Sequence, residues 1–307
     1  MIKVEKNRKP IYNKDKHGGW LMSKYVIVAE TGSDIPKELA AEYGIYLVPM
    51  HVTFGEEMKD DGSFPTEEVC AYYEKTGKVP KTSGCNPEDF IKVFEEIRKE
   101  HPDSHIIYMA YSAVTTCSYQ SARIAAGDDK NITCIDTKHV TVGQCAAVIR
   151  LAQTIKKHPE WTPFQVEMEA ARISKSVRMC FTPSNLDYLR AGGRVSNATA
   201  LCGNILSIHP KIELLDGYLK ATKKYRGKMR KVVLSLLSDF TNEENLDRKE
   251  IWLGSTPGFS DELKDEVKNA ARELGFETIH WISTGGVITT HGGSNAFCMA
   301  GFTAEER

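Results

Sequence analysis

His105-Ile106-Ile107-Tyr108-Met109-Ala110-Tyr111-Ser112-Ala113-Val114-Thr115-Thr116-Cys117-Ser118 reads as a strand that breaks into a hydroxyl-rich loop and then enters a helix. The apolar run over 105–110 suits a strand buried on both faces. A helix over about 118–127 follows, and then a second strand over 132–136. A strand, a helix and a strand at this spacing form a parallel βα unit. The alternation extends in both directions. Tyr25 to Ala29 is a short apolar strand, and a helix runs from about Pro36 to Tyr43. Ile45 to Val48 and His51 to Phe54 are extended. A helix over about Thr66 to Lys75 opens with carboxylates, which suits the helix dipole. Residues 87–100 form an amphipathic helix with Phe90, Val93, Phe94 and Ile97 on one face. Asn86 and Pro87 fit its N-cap and first turn. A long helix covers about 140–157. Such repetition predicts a parallel sheet covered on both faces.

Pro159 and Pro163 flank Trp161 and mark a boundary. Beyond it, Lys211 to Leu215 and Tyr218 to Lys223 flank Asp216-Gly217, a hairpin signal. Helices near 228–238 and 260–274 alternate with strands at 251–255, 277–282 and 286–290. The second half therefore predicts a mixed sheet with helices on one side. The expected division is a disordered extension or upstream start over 1–22, a parallel α/β/α domain over 23–160, and a mixed α/β domain over 161–307.

The 307 residues carry a net charge of −1, from 40 basic and 41 acidic side chains. This balance argues against nucleic acid as a partner, which needs a clustered basic surface. The densest basic run, Lys220 to Lys231, reads as a solvated face or as a dock for an acidic protein. The eight cysteines are scattered without a Cys-x-x-Cys pair. They read as reduced residues of a cytoplasmic protein with no zinc site. No apolar stretch reaches the ~20 residues of a membrane span. Phosphate-loop, dinucleotide and nucleophile-elbow motifs are all missing, so no nucleotide cofactor is expected.

Three further segments carry polar groups at loops. Leu186-Asp187-Tyr188-Leu189-Arg190-Ala191-Gly192-Gly193-Arg194-Val195-Ser196 ends a short helix at paired glycines and fixes where Arg194 points. Lys81-Thr82-Ser83-Gly84-Cys85-Asn86-Pro87 sets two hydroxyls just before a helix. Gly285-Gly286-Val287-Ile288-Thr289-Thr290-His291-Gly292-Gly293 places one histidine before a glycine turn. Thr82, Ser83, Ser112, His291 and Arg194 together suit a buried carboxylate, which accepts hydrogen bonds and donates none. The competing reading is local: Ser and Thr bond nearby backbone, a loop carbonyl satisfies His291, and Arg194 is solvated.

In their order and spacing these segments resemble the DegV family of bacterial fatty-acid-binding proteins. The resemblance also takes in Val48-Pro49, Val52-Thr53-Phe54, Asp216-Gly217 and Lys223 to Gly227, and covers about residues 24–302. It implies a two-domain α/β protein with a lipid site between the domains. It implies that Thr82, Ser83, Ser112 and His291 hold the carboxylate of a long-chain fatty acid. Arg194 and His291 would support phosphoryl transfer by a separate ATP-binding kinase, so the chain itself would be no enzyme. Leu201, Ile205, Leu206 and Ile208 are candidates for the tail wall, or else ordinary core. Burying about 15 methylenes gains on the order of 12 kcal/mol before entropy costs. The chain departs from the family pattern at Gly84-Cys85, Ala113, Val114, Cys117, Gly293-Ser294-Asn295 and Ala29-Glu30-Thr31. Ala113 removes a donor and Val114 resists positive φ, so that loop is expected to be reshaped. The alternatives are another amphiphile as ligand, a phosphotransferase or thiol enzyme using Cys85 or Cys117, and a pure interaction protein with an apolar cleft and no ligand.

Overall fold

The computed structural model describes residues 24–195 and 208–304, preceded by the backbone of two short antiparallel strands, β1 (Asn13–Lys14) and β2 (Trp20–Leu21). Most of the expected 1–22 extension lies outside the described residues, as do Leu201, Ile205 and Leu206. The first half runs β3 (Tyr25–Glu30), α1 (Lys37–Tyr43), β4 (Tyr46–Val48), β5 (His51–Phe54), β6 (Glu57–Asp60), α2 (Glu67–Thr76), β7 (Lys81–Ser83), α3 (Pro87–Glu100), β8 (His105–Ala110), α4 (Ser118–Ala126), β9 (Ile132–Asp136), α5 (Thr141–Lys157) and α6 (Pro163–Ser176). The second runs β10 (Val177–Thr182), α7 (Asp187–Gly192), β11 (Ile208–Leu215), β12 (Tyr218–Arg226), α8 (Met229–Glu243), β13 (Leu246–Ser255), α9 (Asp261–Glu273), β14 (Thr278–Ser283), α10 (Gly286–Gly292) and β15 (Phe297–Thr303).

Strands β4-β3-β8-β9 form an all-parallel sheet, as the βα alternation requires. Both β3 and β8 are buried at every position, which explains their mostly apolar composition, broken only by Glu30 and His105 at the strand ends. A three-stranded antiparallel sheet, β6-β5-β7, carries the Thr82 segment. At α3 the Asn86 side chain accepts from the Glu88 and Asp89 amides, and the Asp89 carboxylate accepts from the Asn86 amide, a closed capping box with Pro87 at the first turn.

The second half builds a six-stranded mixed sheet, β12-β11-β10-β15-β13-β14, with β13 and β14 parallel. Helices α8 and α9 pack on one face through Val233, Leu237, Phe240 and Val267. The other face rests on α5, from the first half, which lies between the two sheets. Positions 141–149 of α5 are all buried. A helix enclosed on every side has no polar stripe to show. The small residues let neighbours approach. A Cβ on Gly143 would come within 3.0 Å of Met179, and one on Gly254 within 2.9 Å of Val142.

Two features differ from the expectation. The predicted strand over 286–290 is the helix α10. Its four consecutive β-branched residues favour a strand by local preference, but tertiary contacts override that preference. The Gly285 amide donates to Asp34 Oδ1 and the Gly286 amide to Asp61 Oδ1, both at 2.7 Å, so two buried carboxylates hold the helix start. In addition, α6 begins just past the expected division at 160/161. It packs against α5, β8 and β9 through Val166, Ala170 and Ile173, within the core of the first half.

Candidate functional site

A cavity partly open to solvent lies between the halves. Its apolar wall includes Met50, Val140, Phe181, Leu219, Val287 and Ile288. Thr82, Ser83, His291 and Arg194 are on the same wall, although 209 residues separate Thr82 from His291. Four of the five polar residues singled out in the sequence thus meet at one place.

Thr82 is the middle residue of β7, which pairs with β5 at Val52. Its Oγ1 lies 2.9 Å from His291 Nε2. His291 is the sixth residue of α10. Burial, reinforced by the positive charge of Arg194, pulls its pKa down to about 4. The imidazole is therefore neutral at pH 7, able to donate one hydrogen bond and accept another. Its far side lies against Gly192, where a Cβ would fall 2.3 Å from Nδ1. Gly193 then closes α7 with φ 63°, a conformation that favours glycine. The paired glycines thus serve two purposes: one makes room for the imidazole, and the other turns the chain toward Arg194. Tyr188 locks α7 in place, with its ring over Gly293 and 4.8 Å from the Tyr73 ring.

Arg194 Nη1 donates to the Gly192 carbonyl at 2.8 Å. No carboxylate pairs with this guanidinium among the described residues. An arginine in that state on a cavity wall is a ready partner for an anion.

Ser112 is placed elsewhere. It is fully buried, and its Oγ donates to the Gly217 carbonyl at 2.8 Å instead of lining the cavity. The loop is held by its own hydrogen bonds. The Ala113 amide donates to Asp136, and Thr115 Oγ1 donates back to the Ser112 carbonyl. The cavity wall is made instead by Thr115 and Thr116, which the sequence reading passed over. Their signal was available, since both belong to the same hydroxyl-rich loop. Ile208 opens β11 half-buried and is not on the cavity wall among the described residues.

The Gly84-Cys85 departure has a packing explanation. A Cβ on Gly84 would lie 2.1 Å from Thr116 Oγ1 and 2.7 Å from Ser118 Oγ, so only glycine lets β7 approach this loop. Cys85 is fully buried with its Sγ toward the Val48 carbonyl, and burial pushes its thiol pKa well up. A thiol held protonated in this way is a poor nucleophile. Glu30 is likewise buried, bonded to Tyr108, Gln144 and the Tyr111 amide. It ties the start of the 111–118 loop to the parallel sheet.

Residues 24–303 match the family profile described as uncharacterised proteins of the DegV family. The chain belongs to the DegV family. A DegV domain-containing protein of Caldanaerobacter subterraneus is 30% identical over 292 residues, covering 93% of this chain and all of that one. Among solved structures, a DegV protein of Thermus thermophilus described as binding fatty acid superposes with a TM-score of 0.82 at 23% identity, over 92% of this chain and all of that one. A stearic-acid-binding protein of Eubacterium ventriosum gives 0.78 at 23% identity, over 91% of this chain and 98% of that one. These likenesses establish the DegV fold for the chain, with its parallel first sheet and mixed second sheet. No helix among the described residues is long and apolar enough to cross a membrane.

Proposed function

We propose that this DegV protein binds one long-chain fatty acid, with the tail in the apolar part of the cavity and the carboxylate at Thr82, Ser83, His291 and Arg194. The Thr82–His291 contact beside a guanidinium that has no carboxylate partner among the described residues, on the wall of an apolar cavity, carries the reading. Thr82 and His291, bonded to each other, keep one donor between them for the carboxylate, Ser83 supplies a second, and Arg194 offsets the charge. Ser112 is left out of this set because its hydroxyl is already committed to Gly217. The fatty-acid-binding relatives support the ligand class. Burial at roughly 0.8 kcal/mol per methylene supplies the affinity, and the polar end offsets the desolvation of the carboxylate.

The wider role we propose is that of a cytoplasmic carrier presenting the carboxylate to a separate ATP-dependent kinase. The carboxylate oxygen would attack the γ-phosphorus, forming an acyl phosphate and releasing ADP. Arg194 and His291 would orient the carboxylate and offset incoming charge. No serine or thiol nucleophile is needed, in keeping with the buried, protonated state of Cys85.

Protein purified from bacteria should carry about one fatty acid of roughly 16 to 18 carbons per chain, a length matching the burial gain above. Denaturing extraction and lipid mass spectrometry would measure it. An empty protein that also fails to take up palmitate or oleate would refute the binding role. Acyl phosphate should form only when kinase and ATP are both added. ATP-dependent product from the isolated chain would refute the carrier role.

A further inference from the structure

The strands β11 and β12 form an arm. They pair with each other along their whole length, from Ile208–Arg226 to Leu215–Tyr218. Among the described residues, β11 joins the rest of its sheet through Cys180–Glu213 and Phe181–Ile212 alone. Among the described residues β12 is an edge strand with no neighbour beyond it. A register irregularity between Lys211 and Ile212 interrupts the ladder on the base side of the two residues that join β10, and the tip leaves the sheet beyond Glu213.

The base of the arm is tied down. Lys211 bonds Glu243 at 2.8 Å, and Lys223 bonds Asp239 at 2.6 Å, both on α8. The tip, Asp216-Gly217, turns with φ 50° and 84° and crosses to the first half. There Ser112 Oγ donates to the Gly217 carbonyl, and Lys138 pairs with Asp216. A Cβ at Gly217 would lie 3.1 Å from Val114. Two residues beyond the tip, Leu219 is on the cavity wall, as is Thr115 from the loop that holds the tip. The closing pair, Leu215 and Tyr218, is 52% exposed at each residue, while their neighbours Leu214 and Leu219 are partly buried against the core of the first half.

We propose that the β11–β12 arm is a strap over the cavity, latched by Ser112 and Lys138, and that opening this latch limits ligand uptake and release. Ser112 is then a positioning residue that acts on the ligand through the arm. The inference deepens the fatty-acid reading by naming what controls exchange at that site. A latch that must open for both directions changes the two rates together and leaves the equilibrium nearly unchanged. A head-group donor does the reverse: it changes carboxylate affinity and spares an uncharged ligand.

The test is stopped-flow exchange of palmitate and of hexadecanol on the parent, Ser112→Ala and Asp216→Asn, after thermal melts show each is folded. Ser112→Ala should speed both uptake and release about fivefold, the factor for one typical hydrogen bond, with Kd shifting less than twofold for either ligand. Asp216→Asn should give a smaller gain, and the parent should speed up in high salt, since the Lys138–Asp216 pair is exposed and screened. A cross-link gives the converse. The Cβ of residue 217 would sit 3.6 Å from that of Lys138, within the span of a disulfide. Lys138→Cys with Gly217→Cys, placed in Ser112→Ala to clear the nearby hydroxyl and shown by thermal melts to fold despite the left-handed φ at 217 and the Val114 contact, should exchange slowly when oxidised and recover on reduction. Hydrogen exchange at the Tyr218 to Ala221 amides reads the latch without ligand and should quicken in Ser112→Ala. If the parent binds no lipid, the ligand reading fails while these amides still report on the latch. Unchanged rates and amides in Ser112→Ala, or a loss of carboxylate affinity with hexadecanol untouched, would overturn the latch.

Discussion

Gly192→Ala is a perturbation whose effect can be worked from one contact. The added methyl would sit 2.3 Å from His291 Nδ1 and 3.0 Å from its Cε1. Ordinary contact begins near 3.4 Å, so the ring must withdraw by about 1 Å. His291 Nε2 now lies 2.9 Å from Thr82 Oγ1, and such a retreat takes that distance beyond hydrogen-bonding range. The backbone does not oppose the change. Gly192 lies outside the left-handed region, and alanine in a helix gains up to about 1 kcal/mol over glycine. Folding should therefore hold while the carboxylate loses a positioned donor, costing roughly 1–3 kcal/mol of affinity. Palmitate Kd should rise about five- to 150-fold, and hexadecanol Kd much less. Isothermal titration with both ligands, preceded by thermal melts, measures this. A double-mutant cycle isolates the cause, because in a His291→Ala background Gly192→Ala should cost nothing further. Parent-like palmitate binding by folded Gly192→Ala, or an undiminished penalty without the imidazole, would refute the reasoning.

Thr82→Ala should lower palmitate affinity about five- to hundredfold and change unfolding free energy by only ~1 kcal/mol; ligand titration and denaturant melts compare the two. His291 has a depressed pKa, about 4 in the folded chain against 6.5 for the free side chain. Between those values the unfolded chain binds more protons, so this residue's contribution to stability is present above about pH 6.5 and is lost as pH falls toward 4. His139, buried with its pKa also drawn down to about 4, contributes with the same sign. Denaturant melts at pH 4.5 and 7 should show a shallower acid loss in His291→Gln than in the parent; equal slopes would count against the buried neutral imidazole. Asn86→Ala removes the acceptor for two amides at α3 and should cost about 1 kcal/mol, read as a melting temperature lower by a few degrees. An unchanged melting temperature would mean the capping box contributes nothing.

The parallel sheet was legible because its causes are local and periodic. Residues 105–110 announce a buried strand by composition, 132–136 a second, half-buried one, and 87–100 a helix by its apolar face and its cap. The Asp216-Gly217 turn was legible too, since it needs residues that accept positive φ. In the site, the polar types at Thr82, Ser83, His291 and Arg194 could be read by resemblance. Their meeting could not be read from spacing, because it depends on how two sheets clamp α5. The α10 segment shows the limit: its β-branched residues favour a strand, while Asp34 and Asp61, far away in sequence, hold it as a helix. Ser112 shows another limit. Its loop and hydroxyl were visible, but its partner is a carbonyl 105 residues away, brought there by the arm. Sequence thus determined which segments are strands, caps and turns, since those follow from backbone sterics and burial of one face. Tertiary structure alone decided which donors share a cavity and which are spent on holding the chain, because a hydroxyl bonds whatever acceptor the packing brings to it.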